Sequence, residues 1–141
     1  MTVFRHRFCI AAAICFCSVN VNAADYEIDF RLDTAEDYEA IQYRVDFSGA
    51  SGEFDQDGED VDCTGNTGLG AIHAFHEHTT DELVAAAISL SDISGAAVLA
   101  TCVFDSTGGA PVEADFSISI DNWSADHSTA PVVEISRIEA Q

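Results

Sequence analysis

The sequence predicts an all-β fold, a two-layer antiparallel sandwich closed by one disulfide, and three observations predict it. Apolar and polar residues alternate with period two over much of the chain. Clusters of Gly, Ser, Asp and Asn interrupt that alternation at short intervals, as turns do between strands. Both prolines, Pro111 and Pro131, stand near such interruptions. Seven or eight short strands in one domain fit a sandwich, and a closed barrel meets the same pattern.

The first segment is of another kind. Arg5, His6 and Arg7 precede an unbroken apolar run from Phe8 to Cys17, and Val21-Asn22-Ala23 leads to a cleavage point. These are the parts of a secretory signal over residues 1–23, which predicts an exported product. The run is too short to cross about 30 Å of hydrocarbon, so no membrane insertion is expected after cleavage. The expected address is the periplasm or the extracellular space, and residues 24–141 form the single domain.

Taken in order, Tyr26, Ile28, Phe30 and Leu32 share one face of a strand, with Glu27, Asp29 and Arg31 on the other. The acidic stretch Asp33–Glu39 turns the chain, and Ile41, Tyr43, Val45 and Phe47 repeat the pattern. Turn chemistry dominates Ser48–Gly70. A strand follows over Gly70–His76, then a turn over His78–Asp81. Leu83–Leu90 is alanine-rich enough for a helix, but Val84, Ala86, Ile88 and Leu90 alternate between turn signals and favour a strand. After a loop at Ser91–Gly95, Val98–Phe104 reads as a central strand. Phe116, Ile118 and Ile120 alternate again, and Val132–Ile138 closes the domain.

Charge narrows the function. The chain has 25 Asp and Glu against 5 Lys and Arg, a formal net charge of −20, and no lysine. Arg5 and Arg7 leave with the leader, so Arg31, Arg44 and Arg137 face all 25 carboxylates, a net −22. Such a surface repels phosphate backbones, which excludes nucleic acid as a partner. Cys9, Cys15 and Cys17 also lie in the leader. Cys63 and Cys102 remain, an even pair in an oxidising compartment, and pair as a disulfide; metal ligation is the alternative.

Two constellations point to metals. Gly70, His76, His78 and Glu82 have the G-x5-H-x-H-x3-E spacing of a first cupin motif, in which two imidazoles on one strand face and a carboxylate hold a metal. Ser89 stands where that motif expects glycine, and no second half follows. The run Asp55–Asp62 fails as an EF-hand, because Asp60 and Asn66 occupy its glycine and glutamate positions. A looser calcium loop through Asp55, Asp57, Asp60 and Asp62 stays open, so the alternatives are a small metal-dependent cupin-like protein using His76, His78 and Glu82 or a calcium-stabilised surface structural protein; otherwise no cofactor is expected. No G-x-S-x-G elbow occurs, so the chain is expected not to be an enzyme. Asn122-Trp123-Ser124 matches a glycosylation sequon, and Trp123, the single tryptophan, suits sugar stacking or packing equally.

Gln42-Tyr43-Arg44-Val45-Asp46-Phe47, Leu83–Ser89, Ser91-Asp92-Ile93-Ser94-Gly95 with Leu99–Phe104, and Asp115–Ile120 occur in an order that resembles a cohesin-like domain, within the carbohydrate-binding-like β-sandwiches. The resemblance covers about a hundred residues. It implies a jelly-roll-like sandwich that recognises without chemistry, binding a dockerin-like protein or a polysaccharide on outward sheet residues. Those at matching positions are Gln42, Arg44 and Asp46 on the early strand, and Thr101 and Val103 on the core strand. Cohesin-like domains usually carry an earlier strand with a Gly-Asp turn; here the chain after Ala23 begins almost directly on the strand at Tyr26.

Overall fold

The computed structural model describes residues 23–57 and 60–141. Residues 1–22 of the expected leader lie outside the described residues. The strands are β1 (Ala24–Leu32), β2 (Tyr38–Asp46), β3 (Gly52–Phe54), β4 (Gln56–Asp57), β5 (Asp60–Val61), β6 (Cys63–Gly65), β7 (Ala71–Thr79), β8 (Glu82–Ile93), β9 (Val98–Ser106), β10 (Ser117–Ser124) and β11 (Val133–Ala140). Short 3₁₀ turns occur at Thr67–Leu69 and Glu113–Asp115. Among the described residues no helix is long and apolar enough to cross a membrane.

Two antiparallel sheets pack as a sandwich, not a closed barrel. One has the order β11-β1-β9-β3, with β6 also on β9; the other runs β10-β2-β8-β7. The period-two pattern produces this directly. Ile28, Phe30 and Leu32 of β1 and Ile41, Tyr43 and Val45 of β2 are buried between the layers. Ala85 and Ala87 of β8 stand opposite Tyr43 and Ile41, and their small side chains leave room for the larger ones. Phe30, Phe47, Phe54, Phe104 and Phe116 fill one end of the core. Cys63 stands opposite Cys102 in the β6–β9 register, and the two are joined as a disulfide.

The structure moves three boundaries. β2 begins at Tyr38, inside the stretch expected to turn. β7 continues to Thr79, which leaves only Thr80 and Asp81 between it and β8. β8 does not stop at Leu90 but runs to Ile93, where Ile93 is buried opposite Tyr38. The polar residues Ser91 and Asp92 look like a loop in sequence, yet they are the exposed part of a strand that ends on a core residue. Gly95 lies just beyond, packed so close to the Thr34 carbonyl that a Cβ there would collide with it.

Tyr43 is buried, and its hydroxyl has no hydrogen-bond partner among the described residues. Burial also pushes the phenol pKa up, since the charged form has no solvation there. An unsatisfied buried hydroxyl costs stability, so Tyr43→Phe is expected to raise the unfolding free energy by about 1 kcal/mol. Urea unfolding of the two proteins measures it. A destabilised variant would mean the hydroxyl has a partner.

Candidate functional site

The two outer faces of the sandwich differ in kind. On the β11-β1-β9 side, Arg137 donates to Asp29 from Nε (2.6 Å), to Glu27 from Nη2 (3.0 Å) and to Glu139 from Nη1 (2.8 Å). Thr101 donates to Asp29 at 2.6 Å, and Arg31 pairs with Glu134. On this face Arg137 and Arg31 are held by carboxylates of their own sheet, while the buried Oδ1 of Asp105 has no hydrogen-bond partner among the described residues.

That charge network has a pH signature. The Arg137 hydrogen bonds, helped by Thr101, hold the Asp29 carboxyl below the usual carboxylate range despite its partial burial. A depressed folded pKa gives stability that is present above the unfolded value of about 3.9 and is lost as pH falls through the folded value. Asp29→Asn is therefore expected to flatten the loss of stability below about pH 4 relative to the native chain. Urea midpoints measured from pH 6 down to pH 2 test this, and parallel curves would contradict it.

On the β10-β2-β8-β7 side the usual polarity of a strand is reversed. Along β8, Leu83, Ala85, Ala87 and Ser89 face the core, while Val84, Ala86, Ile88 and Leu90 face out. Leu90 is fully exposed, and Ile88 is 56% exposed. Ile72 of β7, 75% exposed, stands beside Ile88, with Ala40 of β2 on the other side. The next row across the sheet is Ala74, Ala86, Gln42 and Asn122. This apolar face on an acidic chain is the candidate surface of the molecule.

A cavity of about 150 Å³ lies on this face, lined by Trp123, Gln42, Asn122, Ser124, Ala86 and Ile88 among others. The register between β10 and β2 shifts between Ile120 and Asn122. Asp121 at that shift is engaged by Arg44 Nη2 at 3.0 Å, and Arg44 Nη1 also holds Glu82 at 3.2 Å. Arg44 thus offsets one of the two carboxylate charges beside the cavity, whose lining residues are uncharged.

The residues singled out from sequence do not form one site. Gln42 lines the cavity, Arg44 is tied to Glu82 and Asp121, and Asp46 accepts the Ser48 backbone N–H. Thr101 and Val103 lie on β9, in the other sheet, so the five expected binding residues divide between opposite faces. Alternation shows which residues of a strand share a side, but not which sheet the strand joins.

The metal sets are not assembled either. Among the described residues no three His, Cys, Asp or Glu side chains are placed to hold one ion. The register between β7 and β8 shifts between Glu77 and Thr79, around His78; His76 pairs with Val84, and the Glu82 carboxylate is taken by Arg44. Of the calcium set, Asp55 accepts the Gln56 N–H, Asp60 lies on β5 and Asp62 is joined to Asp55 through the backbone. The Asp57 side chain and residues 58–59 lie outside the described residues.

Sequence reasoning missed Ile72, Ile88 and Leu90 as surface. The signal was available in β8, whose two alternating sets are both apolar, with the larger residues in the outward one. Comparison with protein-family models, with curated proteins and with solved structures finds no match for this chain.

Proposed function

We propose that this chain is an exported, non-catalytic recognition module that takes its ligand on the outer face of the β10-β2-β8-β7 sheet. One observation carries the reading: β8 turns Ile88 and Leu90 to solvent while Ala85 and Ala87 face the core. Large apolar side chains held in solvent at two successive outward positions, beside the exposed Ile72 of β7, fit a function at that surface. The resemblance to cohesin-like domains supports the same role, and the leader supports export to a compartment where extracellular polymers are the ligands.

The test presents the immobilised protein with insoluble polysaccharides and with secreted proteins of its source. The native chain and Glu139→Gln, altered on the opposite face, are expected to retain the same ligand. Ile88→Asp, which places a charge at the centre of the apolar face, is expected to release it. Retention by Ile88→Asp, no retention of any polymer, or chemical turnover of the retained polymer would overturn the proposal.

A further inference from the structure

Resting on that reading, we infer that the ligand of the outer face is a protein. It lays an apolar segment on Ile72, Ile88 and Leu90 and seats a lysine or arginine side chain in an acidic cavity at the end of that face. Ser124, Ala40, Ile88 and Ile72 form one row across the β10-β2-β8-β7 sheet, and Leu90 stands beyond it. The cavity begins where this row ends. Glu39 adjoins Ala40 and accepts a hydrogen bond from Ser124 at 2.7 Å, and Asp92 follows Leu90 by two residues.

The lining of this cavity includes the carboxylates of Glu36, Asp37, Glu39, Asp92 and Asp126 together with His127. Its volume is about 200 Å³, below the roughly 300–1,000 Å³ of pockets that enclose a whole ligand, so it takes the end of one side chain. Among the described residues none of these carboxylates is paired with an arginine or a histidine. His127 Nε2 donates to the Asp37 carbonyl at 3.0 Å, and its Nδ1 is buried without a partner among the described residues. The cavity thus holds acceptors in excess and no arginine.

That chemistry decides the class. Anionic groups are repelled. A divalent ion needs donors converging on one point, and among the described residues no three are so placed. An ammonium or guanidinium group carries several N–H donors on a long stem, which reaches carboxylates that stand apart while its methylenes cover Leu90. A polysaccharide would leave the charge unused. It would also find no Phe, Tyr or Trp among the outward rows, since Trp123 stands opposite the core-facing Ile41.

Random short peptides displayed on phage are selected on the folded protein, and those retained are synthesised and measured by calorimetry. They are expected to share a lysine or arginine beside apolar residues. Glu39→Gln/Asp92→Asn is expected to weaken their binding at least about tenfold. Glu53→Gln/Glu139→Gln removes the same charge from the other sheet and is expected to weaken it less than about twofold. Raising sodium chloride from about 0.05 M to about 0.5 M is expected to shrink the difference between the native chain and Glu39→Gln/Asp92→Asn. Circular dichroism confirms that each variant is folded.

Failure to select any peptide, selected peptides without a basic residue, or equal losses from the two charge variants overturn the inference. Where peptides lacking a basic residue are released by Ile88→Asp, the cationic assignment fails and the outer-face reading stands. The same holds where a polysaccharide is retained by the native chain and released by that variant. If Ile88→Asp releases neither, both fail.

Discussion

Truncating Phe54 to alanine is expected to cost about 3–5 kcal/mol, a large part of the roughly 5–15 kcal/mol that holds such a domain together. Phe54 belongs to β3, which has only three residues, yet its side chain is buried. Its ring lies 5.1 Å from Phe47 and 5.2 Å from Phe104, edge to face, and 6.2 Å from Phe30. Aromatic pairs in these arrangements add to what burial alone supplies. Three residue pairs give β3 little ladder of its own, so this ring anchors the turn-rich segment to the core. Phe54→Leu retains most of the apolar volume and is expected to recover most of the loss. Urea unfolding followed by circular dichroism measures both, and an alanine cost under about 1 kcal/mol would remove Phe54 from this role.

Loss of the disulfide has an effect of similar size but a different origin. The bond closes a loop with a sequence separation of 39, and on the chain-entropy model opening it costs about 4 kcal/mol. Cys102 is fully buried, so the paired variant Cys63→Ala/Cys102→Ala avoids leaving a hydroxyl in the core. Loop entropy acts on the unfolded chain, which expands when the link is absent. The denaturant slope is therefore expected to rise as stability falls. A loss of stability at constant slope would place the effect in native packing instead. Reduction of the native protein is expected to reproduce the change in slope.

Much of the fold was legible because burial on one side writes itself into a strand. Tyr26–Leu32 and Ile41–Phe47 alternate cleanly, Val98–Phe104 is apolar but for Thr101, and each falls on a strand of the sandwich. The end of β8 was hidden because Ser91 and Asp92 have turn chemistry and fall within a register shift, while the pairing of Ile93 with Tyr38 of a distant strand carries β8 past them, a tertiary effect local sequence does not carry. The site was less legible for a related reason. Gln42 and Thr101 sit at equivalent outward positions of two good strands, and only the order of strands places them on opposite sides of the molecule. Trp123 gave no direction of its own; past the register shift before Asn122 it stands opposite the core-facing Ile41, which the sequence alone does not show.

Arg31, Arg44 and Arg137 each engage at least two carboxylates within their own sheet. Every arginine among the described residues is thus answered internally, and the remaining acids repel one another without relief. Dissolved electrolyte then acts against intuition: by shortening the Debye length it weakens three clusters of attraction but relaxes a far larger repulsion. A fold laced with ion pairs should consequently tighten in brine and loosen in dilute buffer.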